Sequence, residues 1–190
     1  MDKLTNAGLL TFALNVTLTG CCDHREGIAD DEMLDHYTQL IAAAGAMLFG
    51  RVTYELMEDA WPAIARDEKA PRAMREWART LEDMPKYVVS NSRRDFPWKN
   101  TVRLEGDLAD AVRQLKEKTP RGVLVGSPAL SATLEGLGLI DEYHILIHPV
   151  LTGHGPTLFQ GIPHSRRLDL VSSTRLQSGV TAMHFRRMDG

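Results

Sequence analysis

Cysteine is almost absent from this 190-residue chain, which carries only the adjacent pair Cys21 and Cys22. Neighbouring cysteines bridge only with strain, and two make no framework, so a disulfide-stapled secreted fold is excluded and reduced thiols are expected. An excess of basic charge is missing too. With 22 Lys and Arg against 25 Asp and Glu, the net charge is −3, which gives no global field for nucleic acid or an anionic membrane surface. Any anion site must therefore be local. The longest apolar run, "IAAAGAMLFG" at 41–50, is too short to span a bilayer.

Several chemical signatures are lacking as well. The seven histidines and two cysteines fall into no zinc spacing, so no metal is expected. His144 and His148 are four apart, but on a strand that separates their Cα atoms by about 13 Å, too far for one ion. Ser127 in "VGSPA" lacks the spacing of a hydrolase elbow, and no GxGxxG occurs. "KLTNAGLLTFALNVTLTGC" resembles a lipoprotein leader with a cleavage box at Leu18–Cys21. Asp2 cancels the charge such a leader needs, and Thr11, Asn15 and Thr17 interrupt its apolar run, so a cytoplasmic protein without membrane attachment is expected.

What the chain does have is an alternation of strand and helix signals. Strands are expected at 9–16, 46–50, 86–91, 101–105 and 122–126, each short and β-rich. Between them lie amphipathic helices. "DDEMLDHYTQLIAAAG" puts Met33, Leu34, Tyr37, Leu40, Ile41 and Ala44 on one face, with Asp30 or Asp31 as cap. "RVTYELMEDA", "APRAMREWARTLEDM", "DLADAVRQLKEK" and "SPALSATLEGLG" follow, the last with Ser127 as a cap and Pro128 at the first helical position. After about residue 140 strands dominate: "EYHILIHPVL", then a hairpin turning at Ser178-Gly179. This is a single three-layer α/β domain over 1–190, a central mixed but mostly parallel sheet of about eight strands with an antiparallel C-terminal edge.

Three strand ends share one feature. They read Gly50-Arg51-Val52-Thr53, Ser90-Asn91-Ser92-Arg93-Arg94 and Gly126-Ser127-Pro128. In an open α/β sheet ligands bind beyond the carboxyl ends of strands, where helix N-termini present free N–H groups to anions. Small residues admit the backbone, hydroxyls donate, and Arg51, Arg93 or Arg94 can pair with phosphate. Singly each junction is an ordinary turn; three along one sheet edge suggest a phosphate cradle.

The segments "NVTLTGCCDH", "LFGRVTYELM", "KYVVSNS", "GVLVGSPALSATL" and "GLIDEYHILIHPVLTGHGPTLF" resemble, in that order, those of the dihydrofolate reductase-like superfamily, in particular the branch with the RibD C-terminal reductase domain. The likeness runs from about residue 10 to 187. It implies a dihydrofolate reductase-like fold, a homodimer, and NADPH as cofactor, with NADH possible. By that resemblance Gly50, Arg51 and Thr53 bind cofactor phosphates, and Ser90, Asn91 and Ser92 the 2′-phosphate. Gly126, Ser127, Ala129 and Leu130 lie against pyrophosphate and nicotinamide.

Two departures stand out. The family's Leu-Asp-Gly is here Leu18-Thr19-Gly20, and the Gly-Gly pair of true dihydrofolate reductases is Gly126-Ser127. The substrate-binding acid of those enzymes has no counterpart, so folate is not the expected substrate. Hydride transfer needs an excluded-water site and a nearby proton source. Asp23 and His24, past the first strand, are the best-placed candidates by sequence. Thr19, Tyr54 and Trp61 are expected at the substrate, although for the two aromatics core packing is the better account. A small-molecule reductase is the expectation; a nucleotide-binding regulatory module that keeps the cleft is the alternative.

Overall fold

A period-two alternation of side chains builds the sheet and assigns each strand residue to one of two helical layers. In the computed structural model, which describes residues 8–160, 162 and 164–188, eight strands pair in the order β4-β3-β2-β5-β1-β6-β8-β7. Residues 1–7, where the leader-like stretch begins, lie outside that description. The strands are β1 (Leu10–Thr17), β2 (Ala46–Gly50), β3 (Lys86–Val89), β4 (Thr101–Arg103), β5 (Val123–Val125), β6 (Glu142–His148), β7 (Leu168–Arg175) and β8 (Thr181–Arg187). All neighbours from β4 to β6 run parallel, β8 is antiparallel to β6, and β7 is antiparallel to β8. The expected mixed, mostly parallel eight-stranded sheet with an antiparallel C-terminal edge is therefore present.

Leu10, Phe12, Leu48, Val123 and Val125 face one layer, packed with Val112 and Leu115 of α4 (Leu108–Lys118) and Leu130 and Leu134 of α5 (Pro128–Gly136). Ala13, Met47, Phe49, Leu124 and Leu146 face the other, packed with Met33, Tyr37 and Ile41 of α1 (Asp31–Ala43) and Trp77 and Leu81 of α3 (Arg72–Asp83). Each large side chain so buried contributes about 1.5–3 kcal/mol. Helix α2 (Arg51–Arg66) lies on the α3 side.

Local signals place the helix ends. Asp30 accepts from the Met33 N–H at 2.8 Å and Asp107 from the Asp110 N–H at 3.1 Å, capping α1 and α4. The end of α3 is closed by a buried amine. Lys86 Nζ donates to the carbonyls of Leu81 (2.6 Å), Met84 (2.8 Å) and Glu82 (3.1 Å) and sits 4.6 Å from the centre of the Trp98 ring. Burial pushes that amine down to about 8.

Several boundaries differ from expectation, and three of them change the reading. Helix α2 continues past Ala60 through Pro62 to Arg66, because its second half packs on α3, with Ala65 buried and its carbonyl taken by Arg79 Nε at 3.2 Å. Strand β3 stops at Val89, which leaves Ser90 in the following loop. Strand β6 stops at His148 and lies between β1 and β8. The outer edge there is β7, where Leu170 and Val171 are exposed. No helix among the described residues is long and apolar enough to cross a membrane.

Candidate functional site

The strand ends at Gly50 and Gly126 meet directly. The Gly50 N–H donates to Ser127 Oγ at 2.9 Å, which ties the start of α2 to the start of α5. Ser127 was expected to cap its own helix; its hydroxyl is spent on Gly50 instead, and neither helix has a side-chain cap. Neither carries an acid in its first turn, whereas α1 and α4 carry both cap and acid. The first-turn N–H groups of α2 and α5 are thus left without side-chain partners, two positive helix ends side by side. A Cβ on Gly126 would stand 3.3 Å from the Ala13 carbonyl oxygen, and one on Gly50 would stand 3.4 Å from Leu130 Cβ. Glycine keeps both backbones close.

The third corner joins through charge. Arg93 Nη1 lies 2.8 Å from Glu58 and 3.7 Å from Glu55, and Arg51 Nη1 lies 2.7 Å from Glu55. Ser90 is buried, its hydroxyl accepting from the Arg93 N–H at 2.9 Å, while Asn91, Ser92 and Arg94 are exposed beside it. So the three corners converge, but Arg51 and Arg93 are already engaged by the carboxylates of α2. Ala129 is exposed on the first turn of α5, and Leu130 is turned into the core.

Next to the cradle a cavity of about 580 Å³ opens between the sheet and helices α1, α2 and α3, with Thr53 and Gly126 among its walls. Its lining is chiefly Met, Leu, Ile, Phe and Trp side chains. Asn15, one of its few polar residues, is held by two neighbours. The Tyr37 hydroxyl donates to Asn15 Oδ1 at 3.2 Å, and His148 Nε2 lies at the same distance. His148 Nδ1 accepts the Ile28 N–H at 2.9 Å, so the proton belongs on Nε2 and Oδ1 accepts twice. Burial keeps the imidazole neutral by lowering its pKa, and pushes the Tyr37 phenol well above its ordinary range.

The remaining expected residues divide. Trp61 and His24 line the cavity, Trp61 against Trp77 with ring centres 5.8 Å apart. Tyr54 does not. It is fully buried, its hydroxyl donating to Glu58 at 2.9 Å and accepting the Trp98 N–H at 3.2 Å, and burial pushes it up to about 12. Thr19 also misses the cavity: its hydroxyl donates to the Thr152 carbonyl at 2.8 Å and accepts the Thr152 N–H at 3.2 Å, pinning a loop. Asp23 binds Arg25 through contacts of 2.6 and 3.0 Å, and these hold its carboxyl well below the usual range. An acid ionised that firmly is a poor proton donor at neutral pH, which leaves His24. Cys21 is buried, and burial raises the Cys22 thiol, whose Sγ lies 3.3 Å from the Pro156 carbonyl.

His144 finds a partner that spacing along the chain could not show. Antiparallel pairing sets it opposite His184, rings stacked 4.0 Å apart, with Glu142 beside them. The donor atoms of the three lie within 4.8 Å of one another, but Arg186 already holds Glu142 Oε1 at 3.0 and 3.1 Å. This cluster sits toward the amino end of β6, away from the cradle. Asn15 was the residue sequence reasoning passed over. Its signal was present: a polar side chain at an inward position of β1, in step with Ala13.

Comparison with known proteins bears on the family and the fold. The family model described as the RibD C-terminal domain matches residues 17–182. The uncharacterized protein YyaP of Bacillus subtilis (strain 168) is 26% identical over 171 residues, 88% of each chain. Among solved structures, a putative riboflavin biosynthesis protein from Shewanella sp. PV-4 superposes with a TM-score of 0.73 at 18% identity, over 95% of this chain and 99% of that one. A pyrimidine reductase-like protein from Corynebacterium diphtheriae gives 0.66 at 15%, over 97% and 94%. Dihydrofolate reductase from Enterococcus faecalis, complexed with NADP(H), gives 0.66 at 14%, over 98% and 100%. At such identities these structures establish the fold alone.

Proposed function

The chain belongs to the RibD C-terminal domain family, and from that premise we propose that it is an NADPH-dependent reductase of a small heterocyclic or carbonyl substrate other than folate. One observation carries the reading: two uncapped helix N-termini, tied together at Gly50 and Ser127, stand beside a largely apolar cavity. Such a pair suits the diphosphate of a dinucleotide. Gly50, Thr53, Gly126 and Ala129 would hold it, and Arg51, Ser90, Asn91 and Ser92 the adenosine end with its 2′-phosphate. Bound there, NADPH would supply a hydride. The protein's part is to seat an acceptor in the cavity, keep water out, and offer a proton, for which His24 at the cavity wall is the candidate.

The test is a fluorescence titration of NADPH with the purified protein, followed by turnover with carbonyl and heterocyclic acceptors. Saturable binding is expected, weakened about 3- to 10-fold by Ser127→Ala as the Gly50 N–H loses its partner. No saturable binding would end the proposal. The regulatory-module reading draws on Thr19, a loop pin where relatives carry an acid; it predicts binding without turnover, unchanged by Thr19→Asp. A cytoplasmic homodimer joined along β7 accompanies the reductase reading, and sedimentation equilibrium would measure its mass.

A further inference from the structure

The interior of the cavity is a chemical description of what it can take. No lysine or arginine is among its described lining residues. A phosphate or carboxylate buried there would lose its hydration and gain no cation, a cost the site does not offset. Its ionisable groups are the buried Tyr37 phenol, bonded to Asn15, and His24 and Asp59, which belong to exposed residues at the mouth. Deeper in, Asn15 carries a donor without a partner. Asn15 Oδ1 is occupied by Tyr37 and His148, so the amide turns Nδ2 outward, and no hydrogen bond from Nδ2 occurs among the described residues. Trp77 of α3, nine-tenths buried, adds an aromatic ring to the lining, while its indole nitrogen is itself buried, with no partner among the described residues. Met33, Met57 and Trp61 add flat or pliable apolar surface.

Resting on the reductase reading above, we propose that the cavity takes a neutral, flat, conjugated carbonyl compound and excludes phosphorylated substrates: a carbonyl oxygen accepts from Asn15 Nδ2, and the ring system fills the apolar remainder. The class also fits the chemistry. A conjugated carbonyl gains a hydride at carbon and a proton at oxygen, two electrons in all, with NADPH as the reductant and water or His24 as the proton source. The donor on the carbonyl oxygen polarises the bond that is reduced.

Equilibrium dialysis of the whole protein against three probes of one ring system tests this. The probes are 1-acetonaphthone, 1-ethylnaphthalene and 1-naphthyl phosphate. Acetonaphthone is expected to bind at least about tenfold more tightly than the phosphate, which gains no counter-ion to offset its desolvation. Asn15→Asp keeps an acceptor for Tyr37 and His148 but replaces the Nδ2 donor with oxygen. It should weaken acetonaphthone about tenfold and leave ethylnaphthalene within about twofold. Naphthyl phosphate binding as tightly as the ketone, or ketone affinity unmoved by Asn15→Asp, overturns the assignment. NADPH titration of the same samples reports separately: ketone binding without NADPH binding removes the reductase reading and leaves the cavity's ligand class standing.

Discussion

Acidification should unfold this protein through one cross-strand histidine pair. His144 faces His184 and Arg186 on β8, Glu142 on its own strand and His36 on α1. Burial, reinforced by repulsion from His184, pushes its imidazole from 6.5 down to about 4. The native state therefore resists a proton that the unfolded chain accepts. Where the unfolded state binds more protons, stability falls as pH falls. The loss begins near the unfolded value of 6.5, grows toward 4, and is absent above neutrality. A displacement of about 2.5 units corresponds to about 3 kcal/mol at its limit, and about 2.5 kcal/mol is reached between pH 7.5 and 4.5. His36 and His148 are lowered by burial too and act in the same direction. Urea-unfolding curves across that range would measure the slope. His144→Phe, which preserves a flat ring against His184, should remove about 2.5 kcal/mol of the pH-dependent loss. Parallel pH profiles for the two proteins would refute the reasoning, because the proton would then be taken up elsewhere.

Two more predictions concern charges already engaged. Lys86→Met leaves three carbonyls at the end of α3 without their donor, and thermal unfolding should show a loss of about 2–4 kcal/mol; a loss below about 1 kcal/mol would mean water replaces the amine. Arg51→Ala, tested by titrating both cofactors, should loosen NADPH about tenfold and NADH by less than about twofold if its guanidinium leaves Glu55 for the 2′-phosphate. Equal losses would move Arg51 to the pyrophosphate.

What was legible in the sequence was written in neighbouring residues. Asp30, Asp107 and Ser127-Pro128 mark helix starts within a turn of where they lie, and the apolar periods of β1, β2 and β5 name their own faces. Hence the three corners emerged from local chemistry. Contacts set by register did not. His144 meets His184 because antiparallel pairing places two residues forty positions apart opposite each other, and a spacing rule along one strand could only offer His148 and reject it. Tyr54 and Trp61 lie on one helix, yet one closes a core with Phe96 and Trp98 and the other walls a cavity, because the loop that packs on Tyr54 arrives from forty residues downstream. Asn15 is the informative miss. A buried-strand position occupied by an amide carries a desolvation cost that hydrogen bonds must offset, and Tyr37 and His148 satisfy only its oxygen. The nitrogen has no partner among the described residues and stands beside a largely apolar cavity. An alternating strand that breaks its pattern with an amide, rather than another Leu or Val, is therefore the place where this sequence gives up packing for recognition.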